Sequence, residues 1–241
     1  MSKKFIKAIV NDKRNRNLGT LQKQTAQMFG SLSKGNLDIW KRKEDGEGVS
    51  TVRSAYNKLQ GTLEEGVNEV FETLWKTRVT PKAQLLGWRM LLDKLPTKAK
   101  LIAKGILLQL SLCEFCLECE ETVEHLFFSC KVAQKVWNMC YKWLGLNIVS
   151  HVKATINFQH FFLLNLNKRQ NIVWHGMWLA IIGEIWKHMN RVIFKQSKVD
   201  PTEIFALAQV MAWVWMKHKI PSVKFSYSDW CLSPYTCLKT L

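Results

Sequence analysis

Cys113-Glu114-Phe115-Cys116, followed by His125 and Cys130, is the constellation in this 241-residue chain whose residue types and spacing could do chemistry. Two cysteines two residues apart can grip one metal ion through a tight turn. A later His and Cys can then complete a tetrahedral shell of three sulfurs and one nitrogen. This donor set and its C-x2-C-x8-H-x4-C spacing point to Zn2+ held by Cys113, Cys116, His125 and Cys130. Four protein ligands leave a tetrahedral zinc no open position for a reactive water, so the site reads as structural rather than catalytic. Cys119 keeps a second ligand set open, because it could replace His125 or Cys130. Four of the seven cysteines fall between positions 113 and 130 beside a histidine, which argues against ordinary core thiols. A disulfide framework would need an oxidising compartment. The odd cysteine count and the lack of a continuous apolar run from Met1 to Lys7 point instead to an intracellular protein of the nucleus or cytoplasm.

The elements that must position these ligands are helical. Thr122 can accept the amide of Glu124 or His125 and start a helix through Leu126 and Phe127, placing His125 in its first turn, aimed at the cysteine turn. Upstream, Val70, Phe71, Leu74 and Trp75 form an apolar stripe of helical spacing. Thr80-Pro81 opens a further helix that Leu95-Pro96 should stop, and Thr97 is the expected cap of another from Lys98 to about Ile106. Val132, Val136, Trp137, Cys140, Tyr141 and Leu144 recur at helical intervals after the last ligand. Gly145 to His151 is a natural break. Beyond it, Trp174, Trp178, Ile181 and Ile185 predict a buried helix, and Asp200-Pro201-Thr202-Glu203 predicts a capped one, with Glu203 reaching back in a capping box. His175 and His188 have no ligand-type partners nearby in sequence and read as structural or surface residues. Two short extended pieces around Asp45-Gly46 predict a hairpin.

In order along the chain, Phe71, Leu74-Trp75, Pro81-Lys82, Trp88-Arg89, Leu95-Pro96-Thr97, Cys113, Cys116, Glu121-Thr122, His125-Leu126-Phe127, Cys130 and Trp137 resemble the reverse-transcriptase zinc-binding domain of plant LINE-type (non-LTR) retroelements. Weaker likeness extends back to Asp38-Ile39-Trp40 and forward to Ile185-Trp186, with Met189 standing where the family commonly has Arg. The resemblance implies a module that lies downstream of a reverse transcriptase and holds template nucleic acid, with Cys113, Cys116, His125 and Cys130 as the zinc ligands. It also implies that the chain is a piece derived from a longer retroelement polyprotein, whose polymerase or another retroelement protein would be a partner.

Composition agrees with a folded, polyanion-seeking protein. Apolar residues make up 47 %, and 35 Lys and Arg against 19 Asp and Glu give a net charge of +16. Such a balance favours RNA or DNA through release of phosphate counterions. Lys82, Arg89, Lys98, Lys100 and Lys104, beside or upstream of the metal loop, are the expected phosphate contacts. The six aspartates, at 12, 38, 45, 93, 200 and 229, are never adjacent, so the paired carboxylates of a two-metal polymerase are missing, as is a carboxylate cluster for ribonuclease H. Neither Ile172–Trp186 nor Ile204–Met216 has the roughly 20 apolar residues of a membrane span. The expected architecture is mainly α: a helical bundle stapled by one structural zinc site, with a short N-terminal β-hairpin. Its parts are a basic arm (1–34), a zinc-binding domain (35–148) and a Trp-rich helical region (149–241). The expected function is non-catalytic nucleic-acid binding; a zinc-stabilised protein–protein adaptor, or an inactive retroelement relic, is the alternative.

Overall fold

The computed structural model describes residues 65–108, 110–146 and 151–241, with side chains from Glu69 onward. The expected basic arm and β-hairpin lie outside these residues. The described residues belong to one compact unit, Leu63–Leu241, and are mostly helical. In chain order come α1 (Glu65–Lys76), α2 (Pro81–Leu91), α3 (Lys98–Ala103), a π-helical turn (His125–Ser129) and α4 (Lys131–Trp143). Then follow α5 (Ala154–His160), α6 (Lys168–Lys195), α7 (Pro201–Lys219), α8 (Tyr227–Leu232) and α9 (Pro234–Lys239).

The centre is α6, whose 28 residues run for about 42 Å at 1.5 Å per residue. Asn167 starts it by accepting the Gln170 amide, while the Gln170 side chain accepts the Asn167 amide, a reciprocal cap that satisfies two otherwise orphaned donors. Gln196, left-handed at φ 54°, stops it. The predicted Trp174, Trp178, Ile181 and Ile185 are all buried. Helix α7 packs along α6, α4 lies against α7, and α2 covers another face of α6. The α4–α7 contact crosses residue 148, so the change of sequence character there falls inside one packed body.

Aromatic rings fill the interior. Phe128 stacks on both Trp137 and Trp178, and Phe161 stacks on Trp174 at 4.9 Å between centroids. Each buried indole also needs a hydrogen-bond acceptor. Trp137 donates to the Phe127 carbonyl, Trp143 to that of Cys231, Trp230 to that of Gln209, and Trp178 to the Asn157 side chain. Most of the described tryptophans therefore pack; Trp75 is half-exposed.

Several helix ends differ from the sequence expectation. Helix α2 stops at Leu91, before Pro96 can act, because Asp93 turns left-handed at φ 51°. The amides of Asp93 and Lys94 then bond back to the Met90 and Arg89 carbonyls, a Schellman closure. Helix α3 ends at Ala103, three residues early, closed in the same way around Gly105 at φ 78°. Asp200 caps α7 through the amides of Thr202 and Glu203. Glu203 does not reach back to complete a box, because its carboxylate is taken by Arg191.

Candidate metal centre

Three local devices bring the four ligands together. The first is a tight knuckle from Cys113 to Cys116. The Leu117 amide donates to the Cys113 carbonyl, and Leu117 takes the left-handed conformation that turns the chain. The arms on either side are tied by the Cys113 amide to the Cys119 carbonyl, the Glu121 amide to the Ser111 carbonyl, and an antiparallel bridge between Leu112 and Glu120. The second device is the cap at Thr122, whose hydroxyl accepts the His125 amide at 3.0 Å, as its sequence position predicts. The third leaves no signal in the sequence. The Cys130 amide bonds to the His125 carbonyl five residues back, forming a π turn instead of an α turn. In an α-helix, residues five apart point about 140° away from each other at 3.6 residues per turn. The wider π turn brings His125 and Cys130 to one side, and such turns concentrate at functional sites.

The donor atoms of Cys113, Cys116, His125 and Cys130 all lie within 4.8 Å of one another. Cys113 Sγ is 4.0 Å from Cys130 Sγ, and Cys116 Sγ is 3.2 Å from His125 Nε2. A tetrahedron with metal–sulfur bonds of about 2.3 Å and metal–nitrogen bonds of about 2.0 Å has edges of about 3.8 Å and 3.5 Å. These two separations lie within about 0.3 Å of those edges, and the four donors together form a compact cluster consistent with a tetrahedral ion such as zinc. Cys119 is exposed and outside the cluster. Its backbone carbonyl accepts the Cys113 amide and closes the knuckle.

Backbone donors surround two of the sulfurs. Backbone amides of Phe115 and Cys116 point at Cys113 sulfur, and those of Val132 and Ala133, at the start of α4, point at Cys130 sulfur. The hydrogen bond from Cys113 Sγ to Cys130 Sγ raises Cys113 and lowers Cys130, and burial raises Cys113 further. His125 presents Nε2 to the cluster, with Nδ1 3.4 Å from Ser129 Oγ, so that ligation through Nε2 leaves the Nδ1 proton to Ser129.

The centre is also packed against α6. Phe115, the residue before Cys116, is buried with its ring 6.0 Å from that of His188. Phe127, in the π turn, stacks on Trp186. His188 is fully buried. Its Nδ1 accepts from Arg191, while Nε2 faces the Lys198 carbonyl and the Asp200 amide. His175 and His188, expected to be structural or surface residues, are both buried, which agrees with a structural place.

Residues 51–137 match the family model for zinc-binding in reverse transcriptase. The match, somewhat over a third of the chain, takes in α1, α2, α3, the knuckle and the π turn and ends in α4. No curated protein and no solved structure matches the chain. The helices that the zinc-binding domain packs against, α6 and α7, lie beyond the matched residues.

The five basic residues expected at phosphates do not form one patch. Lys82 and Arg89 are exposed on α2 and line a groove against α6. Lys100 lines a separate hollow with Asp93, to which it is ion-paired. Lys104 is exposed at the end of α3. Lys98 is structural, since its ammonium donates to the Leu112 carbonyl at 2.8 Å and to Glu114 at 2.6 Å and so fastens α3 to the knuckle. Beside it, Glu121 takes the capping role expected of Thr97. Its carboxylate accepts the Lys98 amide at 3.1 Å, whereas Thr97 makes no side-chain cap. Glu121 is buried, and burial raises its carboxyl above the ordinary value. A cap supplied from 23 residues away leaves no local sequence signal.

Proposed function

We propose that this chain is a non-catalytic, zinc-stabilised nucleic-acid-binding module derived from a LINE-type retroelement polyprotein of the plant kind. The observation that carries this reading is the convergence of Cys113, Cys116, His125 and Cys130 within a region matching the reverse-transcriptase zinc-binding family. Four ligands satisfy a zinc ion completely, so the metal's contribution is to pin the knuckle, the π turn and α4 to one another. The 241-residue chain as a whole carries a net charge of +16. Its natural ligand is RNA or DNA, held through lysines and arginines such as Lys82, Arg89, Lys100 and Lys104, with Lys98 acting mainly through the fold. A reverse transcriptase or another retroelement protein is the partner this origin supplies, and the cell interior, nucleus or cytoplasm, is where it would work. Among the described residues no helix is long and apolar enough to cross a membrane.

The test is the affinity for single-stranded and duplex oligonucleotides measured against salt. Each phosphate neutralised should contribute about 0.7 to 0.9 to the slope of log K on log salt. A slope of several units supports the reading, and a slope of zero on both kinds of nucleic acid overturns it.

A further inference from the structure

Residues distant in sequence line a single groove of about 730 Å3 between α2, α6 and α7. Lys82 and Arg89 stand on the α2 side. Lys187, Arg191 and Lys195 stand on the α6 side, successive ones a single helical turn apart. Glu184 is the acid among the lining residues, and it is paired with Lys187; Arg191 is paired with Glu203. Lys82 and Lys195 have no ion-pair partner among the described residues, and Arg89 reaches only the Lys94 carbonyl, at 3.4 Å. Between the basic walls the lining is apolar. Leu85 and Phe194 are 48 % and 54 % exposed, and Trp186 is partly open. A Cβ placed at Gly183 would meet nothing, so the α6 side is open there as well.

Large apolar side chains left in water between two rows of cations call for a ligand that is itself apolar in the middle and anionic along its length. An unpaired nucleic-acid strand has that character, with base faces to lie on aromatic and aliphatic side chains and a charge at every phosphate. A duplex hides its bases and could use only the walls. We propose that this groove seats an unpaired stretch of RNA or DNA, with bases on Leu85, Trp186 and Phe194 and phosphates on Lys82, Arg89 and Lys195. The inference rests on the nucleic-acid reading above and adds the state of the strand and its seat. That seat is built largely from helices outside the family match.

The test uses the full chain and a fluorescent oligo(dT) of about 15 nucleotides, near the upper end of single-strand site sizes. Its anisotropy is followed across a salt series, with a duplex of the same length as competitor. Phe194→Ala removes a half-exposed ring, so the fold should survive, and should weaken binding about fivefold, the low end of a lost base stack. Lys82→Glu with Lys195→Glu should weaken it tenfold or more and flatten the salt slope by about 1.4, two phosphate contacts at about 0.7 each. Lys135→Glu with Lys142→Glu on α4 makes the same charge change away from the groove and should cost markedly less. The duplex should compete poorly. If Phe194→Ala binds as the unmodified chain does, or the two charge-reversed pairs fall equally, the groove is not the seat; salt-dependent binding by the unmodified chain would then leave the broader reading standing. If the unmodified chain binds neither nucleic acid, both fall. An acid-flanked amphipathic peptide that binds the groove and is not displaced by oligo(dT) would assign it to a protein partner and also overturn the inference.

Discussion

Phe115 connects the metal knuckle to the long central helix, and shortening it tests whether that connection holds the centre closed. The ring is buried and packs against His188 on α6. Truncating a buried Phe to Ala costs about 3 to 5 kcal/mol in a rigid core, and a surface knuckle that can partly collapse belongs at about 3. The knuckle should then open about a hundredfold more often, at 1.4 kcal/mol per factor of ten. Zinc can reach a competing chelator only through such openings. Transfer of zinc from Phe115→Ala protein to a chromophoric chelator, followed by absorbance, should therefore be about a hundredfold faster than from the unmodified chain. Phe115→Leu, which keeps most of the apolar volume, should stay within about tenfold. A change below threefold in the alanine variant would show that the contact with α6 does not control access to the metal.

Asn157→Ala should destabilise the chain by about 2 to 3 kcal/mol in denaturant titration, because it strands the Trp178 indole N–H in a fully buried position and frees the His151 carbonyl; a loss under about 0.5 kcal/mol would contradict that. His175 is held below the ordinary histidine value by burial, although the Asn171 and Phe158 carbonyls face its two nitrogens and oppose the shift. The native state thus keeps the ring neutral while the unfolded chain takes up a proton below about pH 6.5, so its contribution is complete above that pH and is lost as the pH falls further. The stability difference between the unmodified chain and His175→Gln should shrink on acidification below about pH 6.5, and a difference that grows would refute the assignment. Cys119→Ser should leave unfolding midpoints unchanged, since the Cys119 contribution to the knuckle is its carbonyl; a large drop would reinstate its sulfur.

Much of the framework is legible from spacing. The apolar positions of α1, α4 and α6 follow helical intervals, and Thr122, Pro81 and Asp200 mark true helix starts. The ligand set is readable up to one substitution, because C-x2-C followed by His and Cys is a local pattern. What spacing does not show depends on contacts formed only on folding. Asp93 stops α2 through a left-handed turn that its type tolerates but does not demand. Glu121 caps α3 from the far side of the knuckle, displacing Thr97. The π turn brings His125 and Cys130 to one side, and no residue's helix preference announces it. The basic groove pairs α2 with α6 across roughly 100 residues; its α6 half, Lys187, Arg191 and Lys195, follows helical spacing, but nothing local says what that stripe faces.

The most direct measurement is the zinc content of purified protein, by mass spectrometry of the metal, for the unmodified chain, Cys116→Ser and Cys119→Ser. A cluster whose donors all lie within 4.8 Å of one another should hold one zinc per chain in the unmodified and Cys119→Ser proteins and lose it in Cys116→Ser. An unmodified chain without zinc, or zinc lost with Cys119 and kept without Cys116, would contradict the account.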